Sequence, residues 1–222
     1  MSTQPFESLF PSAQAGFAYP KPLAEKYRPV QISDFIGLDK VKKILSAFSA
    51  RPTVSAWTFV GPAGTGKTTM AQALCSAIGG EFHHLPSGKC DARAIDDVVR
   101  QCWYAPMNGT FHVVVVDEAD RMTEGAQLAL LSKLDSTAAP PQTIWIFTCN
   151  QVDGLEKRFL SRCRVLEFSS YGMRESLAEL LARVWQAEST APTTPDFMRI
   201  AKDATNNVRT ALMALELELL AQ

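Results

Sequence analysis

Alternation of apolar and polar positions divides the chain into three stretches. Residues 1–23 carry Pro, Ser, Ala and Gln with scattered aromatics and no period, which predicts an arm without a core of its own. Phe6, Leu9, Phe10 and Phe17 are its candidates for docking elsewhere. From Leu38 to about Ala50 apolar residues recur at helical spacing. Short apolar runs rich in β-branched and aromatic residues follow at 57–60, 112–116, 144–147 and 165–168, with a fifth strand expected over 81–85. Helical patterns at 68–78, 92–103 and 125–135 fall between them, so the α/β reading is a five-stranded parallel sheet covered on both faces. After Phe168 only helical periods remain, at about 172–187, 195–203 and 207–220. The expected organisation is an arm (1–23), an α/β domain (24–168) and a small all-helical unit (169–222). Thr194-Pro195-Asp196 supplies a cap, a first-turn proline and an early carboxylate for the second of those helices, and Asn206 or Asn207 caps the third.

Composition adds mainly exclusions. With 222 residues, 46% hydrophobic and 20% charged, the chain can bury a core and is not a disordered one. The longest uncharged stretch, Ser136 to Val152, is broken by Pro140-Pro141 and polar groups, so no membrane span is expected. The first twenty residues lack the basic and apolar regions of a secretory signal, which predicts a cytoplasmic protein, nucleoid-associated or nuclear according to host. Cysteines at 75, 90, 102, 149 and 163 are odd in number and form no C-x-x-C pair, so free thiols are expected rather than a disulfide framework or a zinc module. His83 and His84 are adjacent, point to opposite faces of a strand, and so do not both reach one ion together with Cys90 or Cys102. A formal net charge of −1 offers no global basic footprint for nucleic acid.

The chemistry concentrates in Gly61-Pro62-Ala63-Gly64-Thr65-Gly66-Lys67-Thr68, a G-x-x-x-x-G-K-[ST] string between a strand and a helix. Phosphate oxygens need several backbone N–H groups converging on a small volume. Gly64 and Gly66 leave room for that, and the helix start adds a favourable dipole. Lys67 would neutralise the β- and γ-phosphates, and the Thr68 hydroxyl would reach Mg²⁺. About 50 residues on, a second apolar strand ends in Asp117-Glu118-Ala119-Asp120. Asp117 would hold magnesium through water, and Glu118 would orient or deprotonate the attacking water. The expected cofactors are ATP and Mg²⁺.

At this point the sequence resembles the AAA+ ATPases, and among them the clamp-loader subunits typified by replication factor C, from about residue 24 to 222. Ala24-Glu25-Lys26-Tyr27-Arg28-Pro29 resembles the family's E-K-Y-R-P box, and Asp34-Phe35-Ile36-Gly37 its I-G turn. By that resemblance Tyr27, Arg28, Pro29, Ile36 and Gly37 belong to an adenine pocket, with Thr69 at the start of the phosphate-loop helix. Phe147-Thr148-Cys149-Asn150 places Asn150 where the family carries its polar sensor 1. Leu160-Ser161-Arg162-Cys163 matches the S-R-C motif, which implies that Arg162 acts as an arginine finger on a neighbouring subunit. Asn207-Val208-Arg209 resembles the sensor 2 arginine of a lid helix. The fold so implied is a P-loop AAA+ core followed by a helical lid.

The resemblance implies head-to-tail assembly with itself or homologous AAA+ subunits, since the chain carries both a nucleotide loop and a finger. It further implies a sliding clamp and primer–template DNA as partners. Lys89, Arg93 and Arg121 are candidate DNA phosphate contacts, against ordinary solvated charges. Trp103 and Tyr104 are candidate clamp contacts, against a reading in which Trp103 packs in the core. By the same resemblance, residues 1–222 are expected to hold neither the family's C-terminal collar domain nor its bacterial zinc module. The leading function is therefore an ATP-hydrolysing clamp-loader subunit. The rivals are a helicase loader or other protein remodeller, and a structural subunit that binds nucleotide without turnover.

Overall fold

The computed structural model describes residues 21–221 apart from 87, 89, 136, 137 and 192. Lys89 and the first twenty residues of the arm, with Phe6, Leu9, Phe10 and Phe17, lie outside the described residues.

Five strands form one sheet: β1 (Ser55–Val60), β2 (Glu81–Pro86), β3 (His112–Asp117), β4 (Thr143–Cys149) and β5 (Arg164–Glu167). All pair in parallel, in the order β2-β3-β4-β1-β5. A parallel sheet buried on both faces needs apolar residues at successive positions, and residues 113–116 of β3 and 144–147 of β4 provide them. Val113 and Val115 face one core with Phe59, Ile144 and Ile146, while Val114 and Val116 face the other with Trp145 and Phe147. The first core is closed by α2 (Asp39–Ala50) through Val41, Leu45 and Phe48, and by α3 (Lys67–Ala77) through Met70 and Leu74. The second is closed by α4 (Ala92–Cys102), by α5 (Glu124–Leu134), and by Phe159 of the one-turn α6 (Lys157–Leu160).

β1 sits inside the sheet while the chain leaves it for the edge strand β2 and returns through β3 and β4. Ligands of open parallel sheets bind beyond the carboxyl ends of the strands, where that order reverses. Here those ends carry Gly61, Asp117 and Asn150.

A third core belongs to α7 (Arg174–Glu188), α8 (Phe197–Asp203) and α9 (Val208–Leu220), around Leu177, Leu181, Val184, Leu212 and Leu215. It also contains Leu23, buried to 5% exposure. Leu23 belongs to a four-residue helix, α1 (Leu23–Lys26), within a stretch the sequence reading leaves as arm and box. Too short to stand alone, α1 is held by tertiary contacts. The Leu23 amide donates to Glu216 Oε1 of α9 at 3.3 Å, Lys26 pairs with Glu188 of α7 at 2.7 Å, and the Tyr27 hydroxyl donates to the same carboxylate. The segment entering the α/β core is thus packed on the C-terminal helices.

The cap of α8 also differs from expectation. Asp196, not Thr194, accepts from the Arg199 amide at 3.0 Å, so Pro195 precedes the helix. The short carboxylate reaches an N-terminal N–H directly, which moves the start two residues on. Between the two asparagines, Asn207 is the cap of α9, accepting from Thr210 N at 3.2 Å, and Asn206 takes a positive φ of 59°.

Candidate functional site

The phosphate loop turns from β1 into α3 through two left-handed glycines, Gly64 (φ 76°) and Gly66 (φ 86°). A Cβ on Gly64 would stand 2.0 Å from Asn207 Oδ1, and one on Gly66 3.0 Å from a Phe35 ring carbon, so both positions are sterically reserved. Gly61 lies under the Phe168 carbonyl, to which a Cβ would come within 2.1 Å. Thr65 closes the turn by donating to the Pro62 carbonyl at 2.8 Å.

Lys67 is the first residue of α3 and is buried at 9% exposure. Its Nζ donates to the Gly61 and Pro62 carbonyls at 2.7 and 2.9 Å and to Asn150 Oδ1 at 3.2 Å. Burial pushes this ammonium below the usual lysine range, and the nearby Asp120 and Asp117 carboxylates oppose the shift. A buried cation held only by neutral oxygens is a site prepared for an anion.

Thr68 donates to Asp117 Oδ1 at 2.7 Å, Thr148 donates to the same oxygen at 2.8 Å, and the Glu118 amide donates to Thr148 at 3.2 Å. Asp117 Oδ2 meets His84 Nε2 at 2.7 Å. Glu118 takes a left-handed φ of 50°, and its carboxylate pairs with Arg121 at 3.2 Å on the rim. These groups line one cleft together with Ala63, Thr69 and Arg209. A hydroxyl and a carboxylate side by side are a hard-oxygen donor set of the kind Mg²⁺ takes, usually keeping several waters. The cleft therefore fits a magnesium-bound phosphate held by Thr68 and Asp117.

A neighbouring cavity of ≈ 330 Å³ opens on the other side of the loop. Tyr27, Arg28, Pro29 and Ile36 line it, with Gly64, Thr65, Gly66 and Thr69 of the loop and Leu180, Val208 and Leu212 of the C-terminal helices. Arg209 borders both cavities. Gly37 packs under Met173, whose Cγ would be 2.9 Å from an added Cβ, rather than lining the cavity. A polar cleft joined to a mainly apolar cavity across a glycine loop offers separate room for charged phosphates and for an apolar ring.

Residues 57–171 match the family described as "ATPase family associated with various cellular activities (AAA)". The chain belongs to this AAA family. It is similar to the replication factor C small subunit of Methanothermobacter thermautotrophicus, 32% identical over 154 residues, with 66% of this chain and 47% of that one aligned. Against replication factor C small subunit 1 of Pyrobaculum arsenaticum the identity is 35% over 173 residues (74% and 51% of the two chains). The Archaeoglobus fulgidus small subunit is 30% identical over 201 residues (86% and 62%). The chain thus spans about half the length of the first two relatives, 47% and 51%. The RuvB Holliday junction branch migration motor of Thermotoga maritima superposes with a TM-score of 0.73 at 22% identity, over 86% of this chain and 64% of that one, which establishes the AAA fold.

Arg162 lies apart from the AAA cleft of its own chain. It follows α6, donates to the Arg158 carbonyl at 2.9 Å and to Asp135 Oδ2 at 3.1 Å, and its buried Nε has no partner among the described residues. It lines a separate hollow with Lys133, Pro141, Trp145 and Arg164. Arg93 is exposed on α4, whereas Arg121 is engaged by Glu118. Trp103 and Tyr104 are 56% and 73% exposed, which corrects the reading of Trp103 as core: it lies past the end of α4, beyond the face that Ile95, Val99 and Cys102 bury.

Three contacts escape the sequence reading: His84 on Asp117, Thr148 on the same carboxylate, and the Asn207 amide donating to the Ala63 carbonyl at 3.0 Å. The first follows from the β2–β3 register, which pairs Pro86 with Asp117 and so brings His84 alongside. No sequence signal announces the third. Among the described residues, no helix is long and apolar enough to cross a membrane.

Proposed function

We propose that this chain is an ATP-hydrolysing clamp-loader subunit. ATP binding assembles it head-to-tail with like subunits to open a sliding clamp on primer–template DNA, and hydrolysis releases the product. The observation that supports this best is the separation of two half-sites on one chain. Lys67, Thr68, Asp117 and Asn150 converge in one cleft, while Arg162 lies in another hollow, its buried Nε without a partner among the described residues. A chain that holds a nucleotide on one face and presents a guanidinium on another builds a heterologous contact, which closes as a ring or runs on as a spiral.

Magnesium-bound ATP, when present, supplies the phosphoryl group and a cation that spreads its charge. Thr68 and Asp117 would hold the ion. Lys67, now on the Gly61 and Pro62 carbonyls, would offer its protons to the phosphates, whose charge would oppose the effect of burial on the ammonium. Glu118 would orient the attacking water and accept its proton, and Asn150 would fix the polar end of that arrangement. Arg209 would act from the lid and Arg162 from the neighbouring subunit, the latter contributing an acceleration of about 10³–10⁵ by analogy with other arginine fingers.

The Arg121–Glu118 pair gives DNA a route into this chemistry. A phosphate backbone that competes for Arg121 would free the Glu118 carboxylate. Arg93 and Lys89 would add phosphate contacts, and exposed Trp103 and Tyr104 offer aromatic anchors for the clamp. Such work places the protein with replicating DNA.

The test is the ATPase rate of the purified chain alone, with primed DNA, with a sliding clamp, and with both. Joint stimulation is expected. Stimulation by neither transfers the reading to a protein remodeller such as a helicase loader, and tight binding without turnover transfers it to a structural subunit.

A further inference from the structure

On the sheet edge away from the nucleotide cleft, strand periodicity and register assemble a second group of chemically active side chains. Glu81 and His83 are two apart on β2 and share a face. Parallel pairing sets Glu81 against His112, the first residue of β3, and α4 ends at Cys102. Among the described residues, His83, Cys102 and His112 bring their ligand atoms within 4.8 Å of one another. Cys102 is 0% and His112 3% exposed. Glu81 flanks this trio on the histidine side, with one carboxylate oxygen 3.9 Å from His83 Nε2 and the other 3.9 Å from His112 Nδ1.

The ring protonation pattern matters most. His112 Nε2 lies 3.0 Å from the Tyr104 carbonyl, which can only accept, so the proton is on Nε2 and the lone pair on Nδ1. That lone pair faces His83 Nε2 at 2.9 Å. A histidine anchored to a backbone carbonyl through one nitrogen while the other points into a thiol-bearing pocket is the arrangement found around bound zinc.

We propose that His83 Nε2, His112 Nδ1 and the Cys102 thiolate, with the Glu81 carboxylate, bind a zinc-class divalent cation. Two imidazoles, one thiolate and one carboxylate fit a borderline-soft, four-coordinate ion, and the two anionic ligands balance its charge. On binding, Cys102 releases its thiol proton to solvent, and His83 moves its proton from Nε2 to Nδ1. Two nitrogens on one tetrahedral zinc stand about 3.4 Å apart at the usual bond lengths, so the histidines separate slightly while Cys102 closes in. In the metal-free state the His83–His112 hydrogen bond satisfies the same atoms. The ion would tie β2, β3 and the end of α4 together directly behind the exposed Trp103-Tyr104 turn.

The test is a titration of the full chain, without nucleotide, with Co²⁺ alone and then Zn²⁺ as competitor. The expected result is one equivalent bound, with a thiolate-to-cobalt charge-transfer band and the visible spectrum of four-coordinate geometry, both displaced by zinc. Cys102→Ser should abolish the charge-transfer band, whereas Cys90→Ser and Cys163→Ser should keep it. His83→Gln, on the more open side of the cluster, should weaken binding by about 10–100-fold or more while ATP binding and far-UV circular dichroism stay unchanged, so the test does not depend on the buried serine variant folding. A charge-transfer band that survives Cys102→Ser, unchanged affinity in His83→Gln, or no stoichiometric binding at all would overturn the proposal.

Discussion

The contact between the phosphate loop and the C-terminal helices makes a quantitative prediction. Gly64 has a φ of 76°, and an added Cβ would stand 2.0 Å from Asn207 Oδ1. Gly64→Ala should therefore lose about 1–2 kcal/mol to the left-handed backbone of an L-residue. It should also expel the Asn207 side chain. That side chain caps α9 through Thr210 N at 3.2 Å and donates to the Ala63 carbonyl at 3.0 Å. Loss of the cap costs about 1 kcal/mol, and loss of the hydrogen bond about 1 kcal/mol more. Gly64→Ala should thus destabilise the nucleotide-free chain by about 3–4 kcal/mol, and Asn207→Ala by about 2 kcal/mol. In the double variant there is no amide left to expel, so the total should stay at about 3–4 kcal/mol and the coupling should be about 2 kcal/mol. Urea unfolding followed by tryptophan fluorescence and circular dichroism measures all four corners of the cycle. If the two costs simply add, to about 5–6 kcal/mol, Asn207 is not the group that Gly64 makes room for, and the steric reasoning fails.

Three further outcomes are expected. Glu118→Gln should bind ATP with little change in affinity and turn it over about 10²–10⁴-fold more slowly; single-turnover hydrolysis checks this, and an unaltered rate removes Glu118 as the base. Arg162→Ala should leave nucleotide affinity intact yet abolish the rise in specific ATPase activity with protein concentration, and a Lys67→Ala chain that keeps Arg162 should restore activity when mixed with it. The Tyr27 phenol is pushed up to about 12, first by burial and then by its hydrogen bond to Glu188 and the charge of that carboxylate. Between its ordinary value near 10 and about 12 the unfolded chain has lost a proton that the folded chain keeps, so stability should fall as pH rises across that window. Spectrophotometric titration should show one late-ionising tyrosine that Tyr27→Phe removes; persistence of that step in the variant would contradict the assignment.

Strands and phosphate loop are legible in the sequence because their signals are local. β3 is a run of four valines, whose branched side chains suit a sheet buried on both faces, and the glycine spacing reports backbone conformations that few other residues adopt. What is not legible depends on partners far along the chain. α1 has four residues and exists because Leu23 fills the core around Leu177 and Leu215. The His84–Asp117 contact depends on strand register, and the His83–His112 pair on register and ring tautomer together. The start of α8 shifts because two residues compete for one cap, which composition alone does not rank. Exposure of Trp103 is equally hidden: its apolar character suits a core, but the helix preceding it ends one residue too early.

The packing of Leu23 and Tyr27 on the C-terminal helices has a mechanical consequence. The walls of the ≈ 330 Å³ cavity are shared: Tyr27 packs with the core of the C-terminal helices, whereas Gly64 and Gly66 belong to the loop between β1 and α3. A ligand seated there would touch both walls and so bridge them. By linkage, whatever swings those helices must alter nucleotide affinity by the same factor with which nucleotide alters the swing. Whatever presses on α9 would thus change the ligand's affinity without touching it.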